Sequence, residues 1–187
     1  MRLAIALAAL ALAVASCNKE PELSVKNASA EQVAAEVKRS GVARQTRLTP
    51  GEWQLTTETK LVEAEGLPEA AAAQVKASLE RTMTESQCLT PEQASRPPSE
   101  IFARRQNSRC TYDSFEMAGG KIKAKMTCPG GNSGTMTMTM DGTYTPTRYT
   151  MDALMNVQAP DGAQSMKMSV RSVGTRTGEC ASAPKAG

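Results

Sequence analysis

The sequence predicts a mainly β protein: an antiparallel meander sheet able to curl into an open half-barrel, with one helix between its first two strands and a short helix ahead of them. Three observations carry this. Trp53, Leu55, Thr57, Thr59 and Leu61 alternate with Glu52, Gln54, Thr56, Glu58 and Lys60, the period of two that marks a half-buried strand. Gly119-Gly120 is a two-residue hairpin turn, and beyond it Ile122, Ala124 and Met126 alternate with Lys121, Lys123 and Lys125. Three more alternating segments follow, Thr135 to Tyr144, Arg148 to Val157 and Ser165 to Gly174, with turns at Pro146 and at Pro160-Asp161-Gly162.

Ahead of the body, Met1-Arg2 supplies a short positive region and Leu3 to Ala15 an unbroken apolar run. A bilayer span needs about 20 apolar residues, so residues 1–16 read as a secretory signal peptide. The run ends Val14-Ala15-Ser16-Cys17, which resembles the bacterial lipobox. That resemblance implies that Cys17 takes a diacylglyceryl thioether and, after cleavage, acylation of its amine; several acyl chains anchor stably where one does not. The competing pattern Ala13-Val14-Ala15 would instead release a soluble periplasmic protein. Asn18 rather than Asp follows the cysteine, which favours outer-membrane sorting by the enterobacterial rule. The expected address is the bacterial cell envelope, lipid-anchored to the outer membrane and facing the periplasm.

Residues 17–47 form a polar, Ala-rich tether. Within it Ser29-x-x-Gln32 is a capping box, Ala30, Val33, Ala34 and Val37 recur at helical spacing, and Gly41 is a natural stop. An isolated helix this short is marginal in water; it docks on the body or forms part of a spacer, and the spacer is the expectation. The β domain spans residues 48–180, and residues 181–187 are expected as a disordered tail. Within the body Pro68 opens a helix over Glu69 to Arg81, with Ala72, Val75 and Leu79 on one stripe. Thr82 to Cys88 is strand-like, Thr90-Pro91-Glu92-Gln93 makes one capped turn, and Arg96-Pro97-Pro98 breaks the pattern.

Apart from Cys17 the cysteines are Cys88, Cys110, Cys128 and Cys180, an even number that predicts two disulfides in an exported chain. None are spaced C-x-x-C, against a redox site or zinc ribbon. With Ala118 facing Lys121, Met117 lies opposite Ile122 and Phe115 opposite Ala124, so the apolar faces of the hairpin match. Carried outward, this register sets Thr111 opposite Cys128 and turns Cys110 away, so a bond across the hairpin requires a bulge. The expected pairs are Cys88 with Cys110 and Cys128 with Cys180, although four cysteines allow three pairings.

At Gly51-Glu52-Trp53, Gln87-Cys88-Leu89-Thr90-Pro91-Glu92, Cys110-Thr111-Tyr112, Cys128 and Gly178-Glu179-Cys180, the chain resembles a family of exported proteins from Gram-negative bacteria catalogued as domain of unknown function 3617. The resemblance covers roughly Leu48 to Cys180 and implies neither an activity nor catalytic residues.

The chain contains no histidine, which removes the usual general base and the commonest metal ligand, so no enzyme is expected. A net charge of +3 with scattered basic residues excludes a nucleic-acid partner. Glu52, Glu58, Asp113, Asp141, Asp152 and Asp161 fall on exposed faces or in turns, and Lys121, Lys123 and Lys125 read as a solvated face. The distinctive feature is methionine. Met136, Met138 and Met140 share a strand face, as do Met151 with Met155, and Met166 with Met168; Met126 extends the set. The leading reading is a core covered by the helix of residues 69–81. The next is a face adaptable to an apolar ligand or envelope protein, and the last a Cu(I) site of soft thioethers at Met136, Met138, Met140, Met166 and Met168. No cofactor or other metal site is expected, and the membrane is met through the N-terminal lipid.

Overall fold

In a computed structural model, residues 22–45, 47–94, 110–130 and 134–181 are described. The leader, Cys17, the Arg96-Pro97-Pro98 break and the tail from residue 182 lie outside them. The chain runs β1 (Leu23–Ser29), α1 (Ala30–Ser40), α2 (Val42–Gln45), β2 (Gly51–Glu65), α3 (Glu69–Leu79), β3 (Arg81–Leu89), α4 (Pro91–Ala94), β4 (Thr111–Ala118), β5 (Lys121–Pro129), β6 (Thr135–Thr145), β7 (Arg148–Gln158) and β8 (Ser165–Gly178). The eight described strands form one antiparallel sheet in the order β1-β4-β5-β6-β7-β8-β2-β3, not closed into a barrel, with β1 and β3 outermost among the described residues. The expected meander is β4 through β8, and the hairpin register is as expected: Ala118 pairs with Lys121, Met117 with Ile122 and Phe115 with Ala124.

The segment expected as a spacer is part of this body. β1 pairs with β4 over Leu23 to Ser29 and makes the first edge. Ser29 then caps α1: its Oγ accepts the Gln32 N–H at 3.2 Å while its own N–H donates to Gln32 Oε1 at 2.8 Å. Val33 and Val37, four residues apart and so on one helix face, are buried beside Val42, and all three belong to the core with Tyr112, Phe115, Met117, Ile122 and Met126. Burying a valine stabilises by about 1.5 to 3 kcal/mol, which outweighs the marginal propensity of one short helix.

The helix expected to cover the sheet does not do so. α3 has no buried residue, and β2 is its main neighbour. Its stripe is Ala72, Val75 and Leu79, too small an apolar face to compete with Val33, Val37 and Val42 of α1 and α2 for the sheet.

The disulfides join Cys88 to Cys180 and Cys110 to Cys128, correcting the expected pairing. The cause is a bulge at Asp113, between the Tyr112–Met126 and Ser114–Lys125 pairs. Without it Tyr112 would face solvent and Asp113 the core. With it Tyr112 and Phe115 both turn inward, 4 % and 3 % exposed. The displaced Asp113 accepts a hydrogen bond from Thr127 Oγ1 at 3.1 Å and lies 3.8 Å from Lys125 Nζ. Beyond the bulge Thr111 faces Thr127, one residue off the unbulged register, so Cys110 reaches Cys128 with a Cα separation of 4.1 Å. On the neighbouring strand Asn27, at φ +50°, falls between the Lys26–Ser114 and Ala28–Tyr112 pairs, beside the same irregularity.

Candidate functional site

Strand register places every methionine of the predicted set on one face. One row crosses six strands as Tyr112, Met126, Met138, Met155, Met168 and Leu61. A second runs Cys128, Met136, Val157, Met166 and Ala64, and a third Phe115, Ala124, Met140, Ala153 and Val170. Directly opposed side chains on one face stand about 4.5 to 5.5 Å apart at Cβ, so Met126, Met138, Met155 and Met168 form an unbroken thioether row. The five expected Cu(I) ligands do not form such a set. Met140 has Ala124 and Ala153 as its cross-strand neighbours, Val157 separates Met136 from Met166, and Met155, outside the expected set, sits between Met138 and Met168.

Burial divides this face in two. Over β4, β5, β6 and the first half of β7 it is core: Met126 is 1 % and Met140 6 % exposed, and Met136, Met138 and Met151 pack against the core cluster. Over the second half of β7, β8 and β2, Met155, Met166, Met168, Val157, Val170 and Leu61 are only half-buried and stand outside that cluster. Beside Met166 a hollow of about 190 Å³ opens between Leu67, Val157 and Pro160. Part of the predicted face is therefore packed core and part a half-open apolar trough.

The opposite face is polar and solvated. A shallow hollow of about 520 Å³ there is lined by Glu58, Lys60, Asp141, Asp152 and Arg171 around Leu154. Arg171 donates to both oxygens of Asp152, at 2.9 and 3.1 Å, and Lys123 lies 3.5 Å from Asp141. Lys167 donates to Glu63 at 2.5 Å, which holds that carboxylate below its usual range and raises the ammonium. Exposed pairs of this kind contribute little stability. Among the described residues no three His, Cys, Asp or Glu side chains are grouped to hold a metal.

Another cluster accounts for the sequence marks. Trp53, 1 % exposed, donates its Nε1–H to the Thr49 carbonyl at 3.0 Å and stacks on Tyr149 with ring centroids 6.1 Å apart. Tyr149 lies over Gly174, where a Cβ would come within 2.2 Å of the ring. Gly51, at φ +140°, brings its backbone against Gly178; a Cβ there would meet the Gly178 carbonyl at 2.3 Å. Arg176 Nε donates to the Pro50 carbonyl at 2.7 Å while its guanidinium pairs with Glu179, and Cys88–Cys180 closes the same end of the sheet. Gly51, Trp53, Cys88, Glu179 and Cys180 thus form one structural lock.

The family model for a protein of unknown function, DUF3617, matches residues 48–180, the span that contains this lock. The chain belongs to that family. No curated protein and no solved structure matches it. The DUF3617 match begins after α2, yet β1 and α1 complete the core of this member. Among the described residues of this DUF3617 protein no helix is long and apolar enough to cross a membrane.

Proposed function

We propose that this DUF3617 protein is a lipid-anchored, non-enzymatic protein of the bacterial cell envelope that holds an apolar ligand, such as an acyl chain, on the trough of β7, β8 and β2. The observation that carries the reading is the contrast along one face: Met126 and Met140 are packed, while Met155, Met166 and Met168 stay half-buried outside the core. Flexible, polarizable methionines suit a surface that adapts to apolar chains of varied shape. The Val14-Ala15-Ser16-Cys17 pattern supports the anchor, and two disulfides are compatible with export. Native mass spectrometry of protein purified from its envelope should reveal a bound lipid. A fluorescent fatty acid should bind the wild type and bind Met168→Asp about tenfold more weakly, since a carboxylate there must be desolvated. Absence of both a bound lipid and probe binding refutes the ligand reading. Loss of palmitate-analogue labelling in Cys17→Ser tests the anchor, and persistent label would refute it.

A second reading, Cu(I) held by thioethers, is favoured by the continuous Met126, Met138, Met155 and Met168 row. Replacing Met138, Met155 and Met168 together by Leu separates the two readings. Leucine keeps the apolar volume and so preserves acyl binding, but removes the soft ligands and so abolishes copper competition with a chelator.

A further inference from the structure

The two edges of the sheet are treated differently. β1 carries Lys26, is broken by Asn27 at φ +50° and has α1 packed beside it, all features that discourage a further strand. β3 has none of these. It pairs with β2 over nine residues without a register shift, contains no Pro, Gly or Lys, and is exposed from Arg81 to Cys88. Among the described residues no strand pairs with its outer backbone groups, which form a long, regular row of donors and acceptors. Arg81, Met83 and Glu85 point to the methionine face, since they pair with Thr59, Thr57 and Leu55 of β2. Met83 is 51 % exposed. Neither Arg81 nor Glu85 has an ion-pair partner among the described residues.

This strand is complementary to itself. We propose that β3 pairs antiparallel with the β3 of a second copy of this chain, about a two-fold axis through Met83. In that register Arg81 faces the partner's Glu85, Thr82 faces the partner's Thr84, and the two Met83 side chains meet on the axis. Both orphaned charges then gain an opposite partner, and the pair forms twice, once on each side of the axis. Centring the axis on Glu85 or on Arg81 would instead oppose like charges, so the charge pattern selects one register. The axis stands perpendicular to the sheet, so the methionine faces of the two copies lie on the same side and join. The pairing rests on the β3 edge alone and holds whether or not the trough takes a ligand.

The test uses the full chain with Cys17→Ser, so that any introduced thiol is the only free one. Sedimentation equilibrium should find a dimer. Arg81→Glu and Glu85→Arg, each alone, oppose like charges twice across the axis and should raise the dimer dissociation constant about tenfold or more. The double swap Arg81→Glu/Glu85→Arg should restore it. Under mild oxidation Met83→Cys should give a covalent dimer and Glu85→Cys should not, because position 85 faces position 81. A monomer at all concentrations overturns the proposal. So does a dimer indifferent to both single reversals and not cross-linked through Met83→Cys.

Discussion

Around Trp53, single atoms decide whether the end of the sheet closes. Gly174 lets the Tyr149 ring lie on the strand, and an alanine there would put its Cβ 2.2 Å from that ring. Gly174→Ala should therefore cost about 1 to 3 kcal/mol, as overpacking does, read as a lower urea midpoint with unchanged slope. The same ring gives the protein an alkaline limit. Burial, and secondarily the Glu85 carboxylate, push the Tyr149 phenol above its ordinary value, and burial does the same to Tyr144. Unfolded tyrosine ionises near pH 10. Above that pH the native state holds more protons than the unfolded chain, so stability falls as pH rises. The contribution of Tyr149 is fully present below about pH 10 and is lost through its higher folded value. Urea midpoints measured from pH 9 to 11 should fall less steeply in Tyr149→Phe.

At the level of elements, the disulfides make the sharpest expectation. Cys88–Cys180 spans 92 residues of sequence and Cys110–Cys128 only 18. On the chain-entropy argument, removing the first with paired Ala replacements should cost about 4 to 5 kcal/mol and removing the second about 3. Equal losses would count against loop closure as the main source of their stabilisation. The strands of the meander were legible because alternation survives wherever one face is buried, and the Gly119-Gly120 turn pins the register of β4 on β5. The pairing of the cysteines was not, because it hangs on one extra residue. A signal for it exists: Phe115 and Met117 facing inward would turn Asp113 inward and Tyr112 outward, which a bulge at Asp113 reverses. β1 was hidden for the opposite reason. Lys26-Asn27 interrupts its alternation, and Asn27 sits at positive φ, so its period is broken where it would have been read.

For the whole molecule, the half-open methionine face was legible as a face and not as a boundary. Periodicity says which side a residue points to; which part of that side is covered depends on where α1 lands, a long-range matter. The structure makes residues 22–45 part of the body, since Leu23, Ala28, Val33, Val37 and Val42 all lie in the core. A chain cut to residues 48–187, which keeps the whole family match, should therefore expose the β4 edge together with Tyr112, Phe115 and Met126. It is expected to aggregate or to bind a hydrophobic dye strongly, and soluble, cooperatively unfolding protein of that length would contradict the role given to α1.

Strand order also carries a consequence in time. β2, at Gly51–Glu65, takes its inner neighbour from β8, at Ser165–Gly178, the last of the described strands in chain order, so this pairing waits until β8 is in place. Until then the hairpin of β2 and β3 has nowhere to dock, and both of its margins stand open to whatever strand comes first. Pairing strands so far apart in sequence is the non-local kind of contact that slows folding. Losing the 14 residues of β8 would orphan β2, β3 and the Trp53 lock together, a penalty far out of proportion to the length removed.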